Sequence, residues 1–218
     1  MTRKLTILGL AILAIPAALV LSGVTASADV EEEFTASEYP ATLHGAQTTA
    51  HVFALSGGPE IKCEAATFTG TLAKKSSELT VTPSYSKCTT VIAGKVAGST
   101  LTFPNCDYRY TKTGSEYHLE CQPPQEPFFT IHVYKNAAHT ENECTFKVNG
   151  TTAQQLSFEN VGGEKGVVVV ANLTGITYTR TEGTLGNCGP AHSTLTYTGT
   201  STLTAKNEKG SPIGFDLG

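Results

Sequence analysis

The sequence has no tryptophan, and its only methionine is Met1. Aspartate is nearly missing too, with only Asp29, Asp107 and Asp216 among 218 residues. That leaves no acidic D-x-D loop of the kind that supplies calcium with its oxygen ligands. No C-x-x-C occurs, so neither a thioredoxin-like redox pair nor a zinc ribbon is supported. There is no G-x-S-x-G elbow for a serine hydrolase and no H-E-x-x-H for a zinc protease. Charge is sparse as well: 16% of residues are charged, the formal balance is −4, and beyond Arg3-Lys4 the largest basic block is Lys74-Lys75. Such a chain lacks the electrostatic footprint that nucleic acid or an anionic membrane requires of a partner.

Long apolar runs are absent with one exception. Leu5 to Val24 is apolar apart from Thr6 and Ser22, follows Arg3-Lys4 and leads into Ala26-Ser27-Ala28. A positive start, an apolar stretch and a small-x-small exit make a secretory signal, so residues 1–28 are expected to be cleaved off. A run of this length could also span a bilayer as a retained anchor. Pro16 within it and the Ala-x-Ala exit favour cleavage. The expected location is therefore secreted or extracellular, in association with the cell envelope or free of it, with no membrane contact after cleavage. Arg3 and Lys4 are the only two of the 15 basic residues in the leader and all 19 acidic ones lie beyond it, so residues 29–218 carry a formal −6.

What is present begins with six cysteines: Cys63, Cys88, Cys106, Cys121, Cys144 and Cys188. An even number, widely spaced in an exported chain, reads as a set of structural disulfides. Six cysteines allow fifteen pairings, and sequence alone does not choose among them. One pair has a local argument. Residues 105–121 read as two strands around Thr113-Gly114-Ser115, which sets Cys106 and Cys121 nearly opposite each other. Cys63–Cys88 and Cys144–Cys188 follow as the remaining expectation.

An internal match supports that pairing. His51-Val52-Phe53 precedes Cys63 as His132-Val133-Tyr134 precedes Cys144, each histidine lying 12 residues before its cysteine. Downstream, Leu79 to Tyr85 leads to Cys88 as Leu173 to Tyr178 leads to Cys188. Read as a duplication, this gives two β modules of similar plan. A shorter competing match sets Thr67-Phe68-Thr69-Gly70-Thr71 against Thr196-Tyr197-Thr198-Gly199-Thr200.

Short alternating runs between glycine, proline and asparagine predict an all-β chain. The expected architecture is an antiparallel β-sandwich of two tandem immunoglobulin-like modules held by disulfides, residues 41–116 and 117–218. One larger sandwich or barrel using every strand is the alternative. Residues 29–40, with Glu31-Glu32-Glu33, read as a flexible acidic leader, and Gln122-Pro123-Pro124-Gln125-Glu126-Pro127 as a stiff linker between modules. Val167 to Val170, apolar without alternation, predicts a strand buried on both faces.

The most regular alternation is at 194–204, where threonine occupies every second position. In a strand these six hydroxyls share one face while Leu195, Tyr197, Leu203 and Ala205 share the other, which makes the threonines the outward side. Gly199 and Ser201 fall on the core side and predict a bulge or bend. A threonine array can also organise water and bind ice, or hydrogen-bond a polysaccharide. Ice binding needs such rows flat and in register, and T-x-T pairs scattered through unlike strands argue against it.

Catalytic and metal sites have little to stand on. The histidines are His44, His51, His118, His132, His139 and His192, and none pairs with another at i, i+2 on a strand or i, i+4 on a helix. His132 and His139 with Glu141 and Glu143 could assemble a loop site, but such loops are usually just solvated. Glycoside hydrolysis needs two facing carboxylates, and nothing in the sequence pairs Glu120, Glu126 and Glu159. Tyr108, Tyr110, Tyr117, Phe128, Phe129 and Tyr134 could stack on sugar rings, though residues of these types are more often core. No metal, cofactor or catalytic residue is expected.

Leu79-Thr80-Val81-Thr82-Pro83-Ser84-Tyr85-Ser86-Lys87-Cys88, Asn105-Cys106-Asp107-Tyr108, Gly175-Ile176-Thr177-Tyr178 and Tyr197-Thr198-Gly199 follow the signal. With them, the chain resembles a group of secreted, six-cysteine, threonine-rich proteins of soil actinobacteria. The resemblance implies export and a disulfide-held all-β fold. It implies no activity, so no functional residue carries over. The expected function is a non-enzymatic binding or surface-interaction module whose partner is a glycan or another envelope component. An extracellular hydrolase acting on carbohydrate or peptide and a purely structural surface protein are the alternatives.

Overall fold

The alternation in the sequence becomes strand over most of the chain in the computed structural model, which describes residues 32–104, 106–113, 116–122, 126–149, 156–163 and 166–218. The expected signal, residues 1–28, lies outside the described residues, as do Gly114-Ser115 and Pro123 to Gln125. The first five strands are β1 (Phe34–Ala36), β2 (Ala41–Leu55), β3 (Glu60–Leu72), β4 (Glu78–Ile92) and β5 (Lys95–Thr102). Next come β6 (Asp107–Thr113), β7 (Glu116–Gln122), β8 (Phe129–Tyr134), β9 (Asn142–Val148) and β10 (Leu156–Val161). The chain continues through β11 (Gly166–Glu182), a single helical turn α1 (Leu185–Cys188), β12 (His192–Lys206), β13 (Pro212–Ile213) and β14 (Phe215–Leu217).

Five long strands form one wall, in the order β11–β12–β2–β3–β4, all antiparallel. Their length lets the two outer ones serve different neighbours at each end. On β4, Glu78–Val81 pair with β6 while Cys88–Ile92 pair with β5. On β11, Gly166–Ala171 pair with β10 while Tyr178–Glu182 pair with β9. The opposite wall is therefore two separate pieces, β5–β8–β9 at one end and β6–β7–β10 at the other. Each piece closes a hydrogen-bonded circuit through the long wall. The result is a sandwich-like closed sheet, the larger single architecture.

The tandem modules are not what the sheet shows. The boundary expected after residue 116 falls inside the β6–β7 hairpin, whose strands pair from Asp107–Gln122 to Thr113–Glu116. Strands of the two halves interleave: β12 lies along β2 from Leu195–Leu55 to Lys206–Thr42. The segment read as a linker between modules joins β7 to β8 within one sheet. The duplication fails on register. His51 sits opposite Cys63, but His132 sits opposite Thr145 and it is Val133 that faces Cys144. A slip of one residue sends a side chain to the other face of a sheet. His51 is accordingly buried at 2% exposure while His132 is only half-buried on the outside.

Residues 29–40 contain no free leader over their described part. Phe34, the one large apolar residue after the acidic run, is fully buried against Phe158 and Phe215 at ring separations of 5.4 and 6.4 Å. Its burial anchors β1 to β14, and the pairing extends to Glu33 and Gly218, which exchange two backbone hydrogen bonds of 2.7 and 3.0 Å. Burying one phenylalanine stabilises by roughly 1.5–3 kcal/mol, enough to order a short segment that acidity alone would leave solvated.

Between the walls the core is aromatic. Phe53 of β2 stacks on Tyr197 of β12 at 4.7 Å and meets Phe129 of β8 edge-on at 5.7 Å. Phe103 bridges Tyr85 and Phe129 at 5.5 and 4.8 Å. Three disulfides complete the frame: Cys63–Cys88 across β3 and β4, Cys106–Cys121 at the β6–β7 hairpin, and Cys144–Cys188 from β9 to α1. These are the three pairs expected from the sequence. All six cysteines are buried.

Candidate functional site

The outward face of the long wall is where the threonines gather. Along β12 the predicted split holds: Leu195, Tyr197, Gly199, Ser201, Leu203 and Ala205 are buried, while Thr194, Thr196, Thr198 and Thr204 are exposed and Thr200 and Thr202 half-exposed. The sheet then aligns this row with T-x-T pairs from strands far away in sequence. One line runs Val168–Thr202–Ala46–Thr67–Ser84 across β11, β12, β2, β3 and β4. The next runs Thr204–His44–Thr69–Thr82. A third, Lys206–Thr42–Thr71, ends the neutral patch on a charge. The objection that these pairs belong to unlike strands is thus overturned by the strand order.

Neighbouring strands lie about 4.8 Å apart, and same-face residues along a strand about 6.7 Å apart. Hydroxyls in the first two lines therefore form part of a two-dimensional array, interrupted on β2 by Ala46 and His44. Among the described hydrogen bonds, Thr82 Oγ1 donates to Asp107 at 2.7 Å and Thr204 Oγ1 to the His44 carbonyl at 3.2 Å, both at the margin of the block or along its backbone. Further along, the array breaks where β2 carries extra residues opposite Thr198–Ser201. This is the irregularity that Gly199 and Ser201 signalled.

Beneath the break lies a buried polar cluster. His51 reaches Tyr197 Oη through Nδ1 at 2.6 Å and Ser201 Oγ through Nε2 at 3.0 Å. Tyr197 and Tyr85 hydroxyls lie 2.7 Å apart, and Tyr85 and Tyr108 hydroxyls 3.3 Å apart. Gly199 makes room for the imidazole, since a β-carbon there would fall 2.5 to 2.8 Å from three atoms of the ring. Burial holds the His51 pKa down to about 4, so the ring is neutral, and it pushes the Tyr85, Tyr108, Tyr110 and Tyr197 phenols up. The adjoining cavity measures about 10 Å³, room for at most one water. No substrate can enter it. Substituting Gly199→Ala is expected to cost about 1–3 kcal/mol by overpacking, against less than about 0.5 kcal/mol for the exposed Thr69→Lys. Urea unfolding of both variants checks this.

The other sequence candidates separate. His44 joins the threonine array, His192 meets Thr179 Oγ1 at 3.2 Å, and His118 lies half-buried opposite Thr111. His132 and His139 do not build a loop site with the two glutamates. His132 contacts Thr145 Oγ1 at 3.3 Å, His139 stacks on Tyr134 at 4.7 Å, Glu141 pairs with Lys135 and Glu143 accepts from Asn187. Among the described residues no group of three or more His, Cys, Asp or Glu could hold a metal ion. Glu120 is bound by Arg109 at 2.6 Å, Glu159 stands exposed opposite Val168, and Glu126 is exposed before β8. None of the described hydrogen bonds joins any two of these three.

The rings proposed for sugar stacking are mostly core. Tyr108, Tyr110 and Phe129 are buried, Phe128 and Tyr134 half-buried; the Tyr117 ring lies outside the described residues. A second cavity, of about 30 Å³ and bordered by Phe53, Leu119, Phe128, Leu173 and Ile176, is mostly apolar and far below ligand size. What sequence reasoning missed was the His51 cluster. Its signal was available in the alternation His51, Phe53, Leu55, which places the histidine on the apolar side.

No known protein family, curated protein or solved structure matches the chain.

Proposed function

We propose that the protein is an exported, non-enzymatic binding module that works through the outward face of its long wall. The observation that carries this reading is the alignment of exposed threonines from β12, β3 and β4, with Ala46 and His44 of β2 between them, in two lines without Lys, Arg, Asp or Glu. The alternating sheet needs only polar outward residues, and a solubilising surface would mix in Lys and Glu; the two lines through Thr67 and Thr69 hold neither. Of the groups that could do chemistry, His51 and Tyr197 lie inside the core, and Glu120 and Glu141 are held in local ion pairs. Three buried disulfides suit an oxidising, extracellular compartment.

Cleavage after Ala28 is part of the proposal. N-terminal sequencing of exported protein is expected to begin at Asp29, and a retained leader would refute that part. Binding is tested by co-sedimentation with insoluble neutral polysaccharides and with envelope fragments, for the parent and for Thr67→Lys/Thr69→Lys. Retention lost in the variant supports the face as the working surface. Equal retention of both, or release of sugar or peptide fragments from the solid, overturns the reading.

A further inference from the structure

We infer that the partner of the threonine face is ice. This rests on the reading of that face as the working surface and names what it meets. The first two lines of the array contain no Lys, Arg, Asp or Glu; charge borders them on the same wall, with Lys206 in the next line, Asp107 beside Thr82, Glu159 opposite Val168, and exposed Glu64 and Lys62 further along β3. An ionic partner finds nothing to pair with there, whereas a neutral one suffers no desolvated charge. No aromatic ring lies in either line either, because Phe53, Phe68, Tyr85 and Tyr197 all point into the core. Sugar rings lose the stacking platform they bind best.

What the face offers instead is a hydroxyl and a methyl on each of Thr202, Thr204, Thr67, Thr69 and Thr82, about 6.7 Å apart along a strand, about 4.8 Å apart between β3 and β4, and about twice that between β12 and β3 across β2. Surface planes of ice repeat their oxygen atoms at distances of this order. The γ-methyls hold intervening water in cages, and the hydroxyls bond it to the lattice. Such recognition requires groups fixed in advance, because each side chain that must be ordered on contact subtracts from binding. Threonine is stiff at χ1. Beneath β3 and β4 the Cys63–Cys88 bond and a packed core hold the backbone. The array is interrupted at His44 and Ala46, both on β2 between β12 and β3.

Those interruptions provide a gain-of-function test that does not depend on disrupting the fold. The full exported protein, labelled with a fluorophore, is frozen slowly onto a cold finger, and its concentration in the ice is compared with that in the remaining liquid. The parent is expected to enter the ice and to slow recrystallisation. Ala46→Thr and His44→Thr, which complete the two lines, are expected to raise incorporation. Thr67→Lys/Thr69→Lys should lose it, and Thr102→Lys, exposed on β5 away from the array, should keep it, with circular dichroism unchanged in each. Exclusion of the parent from ice overturns the inference. So does incorporation that the array variants leave unaltered. If ice excludes the parent but polysaccharide retains it through the same face, the binding module stands and only this partner falls. If neither is bound, both readings fall.

Discussion

Reduction of the three disulfides is expected to abolish cooperative folding at ambient temperature. The bonds close loops with sequence separations of 15, 25 and 44 residues. In the chain-entropy description these correspond to roughly 3, 3.5 and 4 kcal/mol of stabilisation against the unfolded chain. Together they rival the whole stability of an ordinary domain, about 5–15 kcal/mol. All six sulfurs are buried, so reduction has to be done in denaturant and refolding attempted with reductant present. Tyrosine near-ultraviolet circular dichroism then reads the outcome. Among pairwise replacements by alanine, Cys144/Cys188 should cost most because its loop is longest. A reduced protein that melts at the same temperature as the oxidised one would show that the core alone holds the fold.

Acid is the second large effect. His51 is 2% exposed and neutral in the folded protein, with its pKa lowered from 6.5 to about 4 by burial. Above pH 6.5 neither folded nor unfolded chain protonates it, and its contribution to stability does not vary. Between 6.5 and 4 the unfolded chain takes up the proton and the folded one does not, so stability falls as pH falls. The loss reaches roughly 3 kcal/mol near pH 4 and then levels off, at 1.36 kcal/mol per unit. The groups packed around the ring, Tyr197, Ser201, Tyr85 and Phe68, supply no carboxylate to hold the charge. Urea unfolding at pH 7 and 4.5 measures the loss, and His51→Phe should remove about one proton's worth of slope across that interval. An equal slope in the variant would assign the acid sensitivity to the surface carboxylates instead.

Local structure was legible in these residues to a large degree, and global arrangement was not. Period-two alternation marks β12 and its outward threonines, because inside and outside are written residue by residue. Strand ends are less visible: residues 41–48 and 84–92 extend β2 and β4 well past the alternating runs at 49–55 and 78–83. Pairing partners depend on contacts between distant segments, and a chain rich in Thr and Val offers many registers of similar quality. That is why the likeness of His51 and His132 suggested two modules when their side chains lie on opposite faces. It is also why T-x-T pairs at 67–71, 80–82 and 198–204 looked unrelated until the strand order placed them side by side. The acidic leader misled for a different reason. A single buried Phe34 outweighed the composition of its neighbours.

The closed circuits have a bearing on how such a chain avoids aggregation. Val167 to Val170 is a short stretch of high β-propensity without charge or proline, the type of segment that seeds fibrils. Here its amides and carbonyls are already committed to β10 on one flank and β12 on the other. A ring of strands has no border at that point onto which another molecule could dock. The same strand order that lines up the threonines thus keeps the stickiest part of the sequence out of circulation.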